Sequence, residues 1–116
     1  MLIKIMVSIL VCLVLLPALA AQDVMQSHPR QLKVLAEDSQ VRVLRFAPTK
    51  GESTPMHSHP KTVVYVVKGG KIRLTLPDGS SSVVELKTGE AELRAPVTHK
   101  DEALDDMEVI LVELKK

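Results

Sequence analysis

The sequence predicts an all-β domain, and three observations carry this prediction. Apolar side chains recur with period two through most of the chain after residue 30, most clearly at Ile72, Leu74 and Leu76. Residues 62–67 form a run rich in β-branched side chains. Glycines lie between such segments at turn spacing. Together these features favour about seven to nine short strands in one small sandwich or barrel.

Residues 1–20 have the composition of a secretory signal peptide. Lys4 supplies a basic start, an apolar run occupies residues 5–16, and Ala18-Leu19-Ala20 matches a signal-peptidase site. The run is shorter than the roughly 20 residues that a membrane-spanning helix needs. We therefore expect a signal helix at 1–20 that is cleaved after Ala20, with an uncleaved anchor as the alternative. A bacterial protein processed in this way is periplasmic or secreted and keeps no stable membrane anchor.

The remaining residues, 21–116, form one predicted domain of balanced charge. Loss of Lys4 leaves 14 Lys+Arg against 14 Asp+Glu. Without a basic stripe, and with only Phe46 and Tyr65 as aromatic residues, the chain is not expected to bind nucleic acid. The only cysteine, Cys12, is lost with the signal peptide, so we expect no disulfide.

The predicted strands follow one another closely along the chain. Alternation at 32–36 predicts a first strand, with a short helix over 31–37 as the alternative, and alternation at 41–46 predicts the second. The run at 62–67 has the character of a strand that is buried on both faces.

The C-terminal half continues this pattern. Residues 71–76 and 82–87 flank Asp78-Gly79, which indicates a hairpin. In the next segment we expect Glu92 and Arg94 to form the polar outer face, opposite Leu93. A β-branched run at 107–114 predicts the last strand.

His57 and His59 are the residues with the clearest chemical potential. They are separated by one residue in an extended segment, so both imidazoles point to one face. His99 follows after the bend at Ala95-Pro96, where a facing strand can deliver a third imidazole. Such a group suits zinc, iron, copper, nickel or manganese. The alternative is a surface loop that happens to hold two histidines.

The spacing around these histidines resembles the conserved motifs of the cupin superfamily. Five residues separate Gly51 from His57-Ser58-His59, and Gly70 closes the first motif. Gly89, Pro96 and His99 match the second motif loosely. The two motifs and the strands between them cover residues 51–103, and the chain looks like the small single-domain bacterial cupins of the cupin 2 type conserved barrel.

The resemblance implies a cupin-type β-barrel, also described as a double-stranded β-helix or jelly roll, with a divalent metal inside it. Iron, zinc, manganese, nickel and copper all remain open. The ligands carried over by position are His57, His59 and His99. Cupins often add a glutamate, but that position is Val63 here. A three-histidine site remains.

Several side chains are candidates to support this site. Tyr65, in phase with the histidines, and Thr62 are possible contacts of the ligands, although a core position is the alternative for Tyr65. The acids at 101, 102, 105 and 106 are interpreted as a solvated loop rather than a cation site. No catalytic residue is assigned.

Two functions therefore stay open. The first is a metal-dependent enzyme, such as a dioxygenase, acting on a small molecule. The second is a non-catalytic barrel that binds a small ligand or a metal, and a relic that no longer retains metal is a further alternative. A homodimer is expected through the first predicted strand, at 32–36, because a core of this size is marginal alone.

Overall fold

The all-β prediction is confirmed by the computed structural model, which describes residues 22–27 and 30–116. The predicted signal peptide lies outside these residues. Within them no helix is both long and apolar enough to cross a membrane. The elements are β1 (Gln22–Asp23), α1 (Val24–Ser27), β2 (Leu32–Glu37), β3 (Val41–Phe46), β4 (His57–His59), β5 (Thr62–Lys68), β6 (Gly70–Thr75), β7 (Ser81–Leu86), β8 (Ala91–Arg94), β9 (Val97–Ala103) and β10 (Glu108–Leu114).

The strands form two five-stranded sheets. One sheet has the order β1-β4-β9-β6-β7 and the other has the order β2-β3-β10-β5-β8. All the pairings between these strands are antiparallel except that of β1 with β4. Strand β9 is central to the first sheet, because it pairs with β4 through its first half and with β6 through its second half.

The core consists of apolar side chains from both sheets. Leu44, Val64 and Val66 are among its most buried members in the second sheet, and Ile72 and Leu86 face them from the first. Because alternate side chains of a strand point to opposite faces, each of these strands buries one face and exposes the other. The result is a flattened barrel with its interior between the two sheets.

The hairpin predicted at Asp78-Gly79 is confirmed by the pairing of β6 with β7. Gly79 has φ +87°, which L-residues with a side chain rarely adopt. Asp78 Oδ1 accepts a hydrogen bond from the backbone N–H of Ser80 at 2.9 Å. Local turn chemistry therefore sets this register. Residues 32–37 are a strand and not the alternative short helix.

The prediction that residues 62–67 are buried on both faces was wrong. Thr62, Val64 and Val66 are buried, whereas Tyr65 is 48% exposed and Val67 is 40% exposed. Strand β5 belongs to a sheet with one face in solvent, so its β-branched character reflects strand propensity and not double burial.

The orientation predicted for the strand before His99 is reversed. Leu93 is 74% exposed, while the side chain of Arg94 is only 27% exposed and lines the interior. Strand β8 pairs with β5 in the register Thr62↔Arg94 and Val63↔Leu93. Directly paired residues share a face of the sheet, so the inward Thr62 carries Arg94 inward with it.

Candidate metal centre

Three histidines come together on the inner face of the first sheet. In the pairing of β4 with β9, His57 lies directly opposite His99. Directly paired residues of antiparallel strands project from the same face, and His59 follows His57 by two residues on that face. Two strands therefore deliver three imidazoles to one place, and His57 and His99 are buried there.

The rings are arranged edge to face around a common point. Their centroids are 4.8 Å apart for His57–His59, 4.8 Å for His57–His99 and 5.2 Å for His59–His99. One nitrogen from each ring lies within 4.8 Å of the others. Nitrogens that share an ion at about 2.1 Å are roughly 3.0 to 3.4 Å apart, so small ring rotations bring these three into ligand positions.

Hydrogen bonds fix the tautomers of two of the histidines. His57 Nδ1 lies 2.8 Å from the carbonyl oxygen of Pro55, and His59 Nδ1 lies 3.1 Å from Glu113 Oε2. Both oxygens only accept hydrogen bonds, so each Nδ1 is the donor, and in the neutral form of each ring Nε2 is the atom with the lone pair. A ligating histidine that donates its other N–H to a carboxylate or a carbonyl is the usual arrangement in metal sites.

Next to His59, the side chains of Glu113, Arg42 and Asp23 form two consecutive salt bridges. Glu113 Oε1 accepts hydrogen bonds from Arg42 Nε at 2.8 Å and from Arg42 Nη2 at 2.6 Å, and Arg42 Nη2 also donates to Asp23 at 2.8 Å. The Glu113 side chain is only 2% exposed. Burial alone would raise the pKa of Glu113, but the hydrogen bonds from His59 and Arg42 hold it below the ordinary value. Glu113 is therefore ionised and orients His59.

The third histidine is held in its neutral form. Burial, together with the neighbouring imidazoles of His57 and His59, lowers the pKa of His99 to about 3. A metal needs an unprotonated imidazole, and His99 supplies one throughout the physiological range.

Asp101 lies beside the cluster, two residues after His99 on the inward face of β9. Its side chain is 7% exposed, and its Oδ2 is 3.8 Å from His57 Nε2. Burial raises the pKa of Asp101 to about 6, against a hydrogen bond from Thr54 that lowers it. The prediction of a solvated loop was wrong for Asp101, because β9 continues through this residue, whereas Asp105 and Asp106 are exposed as expected.

The cavity next to the cluster has a volume of about 50 Å³. This is space for about three water molecules. Apolar side chains form most of its wall, among them Phe46, Val64 and Leu111, and Arg94 and Asp101 are its charged members.

The donor set fits a divalent metal of borderline softness, such as zinc or ferrous iron. Among the described residues, these three histidines form the one group of metal-ligating side chains that converges in this way. The inward positions on β5 next to the histidines are Thr62 and Val64, so no carboxylate from that strand joins them.

Tyr65 does not contact the site, contrary to the prediction from parity. The chain bends at Pro60 between β4 and β5, so inward positions are odd-numbered at His57 and His59 but even-numbered in β5. Thr62 is buried beside His59 and lines a second small cavity with it, but its hydroxyl donates to the carbonyl oxygen of Pro60 at 2.7 Å.

Sequence reasoning missed three interior charged groups: Asp101, Glu113 and Arg94. For Asp101 and Glu113, the position within the strand already indicated that the side chain points inward. Asp101 shares the parity of His99, and Glu113 shares that of the buried Val109 and Leu111. A lone acid in phase with ligands or core residues therefore indicates an interior carboxylate.

Comparison with known proteins identifies the architecture. No protein-family model matches the chain, and no curated protein does either. Several solved structures are similar. A cupin domain from Bordetella pertussis Tohama I is 24% identical, with a TM-score of 0.66 over 73% of this chain and 92% of that one.

Two further structures give the same result. An RmlC-like cupin from Desulfovibrio desulfuricans is 20% identical, with a TM-score of 0.55 over 72% of this chain and 79% of that one. A cupin superfamily protein from Desulfitobacterium hafniense is 16% identical, with a TM-score of 0.58 over 73% and 76%. The chain therefore has the cupin fold.

Proposed function

We propose that this cupin-fold protein binds one divalent metal through His57, His59 and His99 and uses it to act on a small molecule. The observation that supports the proposal most strongly is the convergence of three imidazoles, two of which have Nδ1 within hydrogen-bond distance of an oxygen acceptor. Zinc, iron, manganese, nickel and copper remain candidates, because imidazole suits all of them.

The chain contributes the surroundings that such chemistry needs. Glu113 and Arg42 hold His59 in place, and apolar side chains form most of the wall around the site. A bound ion would supply Lewis acidity, or redox chemistry if it is iron or copper. The cavity has room for a small co-substrate such as dioxygen, and a dioxygenase is one enzyme class that we propose.

A non-catalytic binding module is the second candidate. The same cavity favours it, because about 50 Å³ leaves little room for an organic substrate beside the ion. Such a module stabilises on binding its ligand but yields no product.

The cellular setting belongs to the same proposal. We infer export to the periplasm or the medium from the signal-like segment at residues 1–20. We also propose a homodimer, which the edge position of β2 supports, together with the partly exposed Val34 and Leu35 on that strand. Intact mass of protein purified from cells that express the full chain tests cleavage after Ala20, and sedimentation tests the dimer.

The deciding experiment is elemental analysis of this purified protein. We expect near-stoichiometric metal in the wild type and its loss in the double variant His57→Ala/His59→Ala. Ser58→Ala is the matched control, since Ser58 lies between the two histidines and contacts Thr98 instead. Absence of metal both after purification and after anaerobic reloading with iron and zinc would refute the proposal.

Oxygen uptake and product analysis on the loaded protein then separate the two candidates. An enzyme consumes dioxygen or converts a small-molecule substrate only with metal present, and His99→Ala abolishes this activity. A binding module shows a rise in melting temperature with its ligand and no turnover.

A further inference from the structure

Asp101 and Glu113 are the two buried acids among the described residues, and only Glu113 has a role in holding the three histidines. Asp101 lies on β9 with its side chain turned to the same interior as His99, and it lines the same cavity. Its side chain is only 7% exposed. A buried carboxylate is costly unless hydrogen bonds or a cation compensate it, so the partners of each oxygen matter.

The surrounding protein compensates this carboxylate only in part. Oδ1 is buried and has no hydrogen-bond partner among the described residues. The nearest cationic side chain on the cavity wall, Arg94, donates to Glu92 at 2.9 Å and 3.1 Å. The Thr54 hydroxyl accepts a hydrogen bond from the backbone N–H of Asp101 at 2.7 Å and is also a hydrogen-bond partner of the Asp101 carboxylate.

In the neutral form of His57, its contact with Asp101 joins two hydrogen-bond acceptors. The Nδ1–H of His57 is donated to the Pro55 carbonyl, so Nε2, which faces Asp101 Oδ2 at 3.8 Å, has a lone pair. Two lone pairs that face each other inside a protein repel unless a proton or a metal cation lies between them. Ligand atoms each about 2.1 Å from a tetrahedral ion are about 3.4 Å apart. The 3.8 Å between His57 Nε2 and Asp101 Oδ2 is close to this distance, while the group of ligand atoms that all lie within 4.8 Å of one another consists of the three histidines.

We propose that Asp101 is a fourth protein ligand of the metal, a carboxylate that β9 supplies in place of the one absent from β5. This inference rests on the proposed metal site. It extends that site from three neutral donors to a set with one negative charge, His57, His59, His99 and Asp101. Such a set retains a divalent ion more firmly than three imidazoles alone and leaves fewer positions for water or substrate.

The test compares Asp101→Asn with Glu102→Gln. Glu102 is the adjacent acid on the outer face of β9 and pairs with Arg73, so its substitution controls for loss of one negative charge nearby. Zinc affinity is measured by competition with a chelator, and the visible spectrum of the cobalt-loaded protein reports the ligand set. Asp101→Ala is a second variant, because the amide oxygen of Asp101→Asn retains some ability to ligate.

We expect Asp101→Asn and Asp101→Ala to lose more than tenfold in zinc affinity relative to Glu102→Gln and to change the cobalt spectrum. An unchanged spectrum, or a loss below tenfold in Asp101→Ala, would overturn the assignment of Asp101. If the wild type binds no metal, the proposed function itself fails. If it binds metal through the histidines while the Asp101 variants match the control, only the assignment of Asp101 fails.

Discussion

The salt bridge between Arg42 and Glu113 gives the sharpest prediction for stability. Strands β3 and β10 carry two Arg–Glu pairs, one buried and one exposed. The Arg42 and Glu113 side chains are 16% and 2% exposed, whereas those of Arg45 and Glu108 are 45% and 29% exposed. Substituting Glu113→Gln and, separately, Glu108→Gln therefore makes the same chemical change in two environments on the same strands.

The expected magnitudes follow from the contacts of each acid. Removing one partner of a buried pair costs about 3 to 5 kcal/mol, because the other charge is left uncompensated. Arg42 keeps Asp23 as a partner, which places Glu113→Gln near the lower end, at about 3 kcal/mol. The exposed pair contributes much less, because water and salt screen the two charges.

Denaturation of both variants in the presence of a chelator measures this difference without a contribution from metal. At roughly 4 to 8 °C per kcal/mol for a domain of this size, Glu113→Gln lowers the melting temperature by about 12 to 24 °C. Glu108→Gln lowers the melting temperature by a much smaller amount, because its pair is screened by solvent.

The same substitution has an effect on the metal site. The amide introduced by Glu113→Gln can donate to His59 Nδ1, which favours the tautomer whose Nε2 carries the proton. We therefore expect a loss of about 10- to 100-fold in zinc affinity, the usual cost of removing a carboxylate behind a ligand.

A melting temperature for Glu113→Gln equal to that of Glu108→Gln would refute the reasoning that burial makes the Arg42–Glu113 pair important for stability.

Three further predictions concern pH, the core and the metal. In metal-free protein, folding lowers the pKa of His99 from 6.5 to about 3, so the stability that His99 contributes above pH 6.5 is lost as the pH falls. Folding raises the pKa of Asp101 from 3.8 to about 6, so the stability that Asp101 contributes below pH 3.8 is lost as the pH rises. The contributions of His99 and Asp101 to the free energy of unfolding oppose each other between about pH 4 and 6. Urea titrations at several pH values should therefore show a steeper loss of stability on acidification in Asp101→Asn than in the wild type. Parallel curves of stability against pH would contradict this prediction. Leu44→Ala, at a fully buried core position, should lower the free energy of unfolding by about 2 to 5 kcal/mol. Leu93→Ala is the control, because Leu93 is 74% exposed, and it should lower this free energy by less than about 0.5 kcal/mol. Equal losses in denaturation experiments would contradict the assigned core. Zinc at about 100 times its dissociation constant should stabilise the wild type by about 2.7 kcal/mol in thermal melts and leave His99→Ala unchanged; a similar gain in His99→Ala would place the ion elsewhere.

The sequence was informative wherever the signal is local to one strand or one turn. Period-two alternation predicted the strands around Val43 and Leu74, and Asp78-Gly79 predicted the hairpin. The convergence of His57 with His59 also follows from spacing within one strand. Alternation inside an element is a local property, so it can be interpreted without the fold.

The wrong predictions of side-chain orientation assumed that the alternation of inward and outward positions continues unchanged from one strand to the next. Tyr65 was placed in phase with His59, but the chain changes direction at Pro60 and the inward positions of β5 shift by one. The predicted faces of Leu93 and Arg94 were reversed for a similar reason, because the pairing of β8 with β5 determines which side chains of β8 point inward. Inter-strand register depends on contacts between residues distant in sequence, so it has no local signature.

The two interior acids contribute to the site in different ways, and their effects on stability separate them. Glu113 is compensated by Arg42 and His59 in the metal-free protein, so Glu113→Gln destabilises that state. Asp101 has one oxygen without a hydrogen-bond partner in the described chain, so Asp101→Asn relieves an unfavourable buried charge at neutral pH and should cost little or even stabilise. Both substitutions are nevertheless expected to weaken zinc binding. Loss of metal affinity without loss of stability is therefore the behaviour that marks Asp101 as a residue kept for the ion and not for the fold.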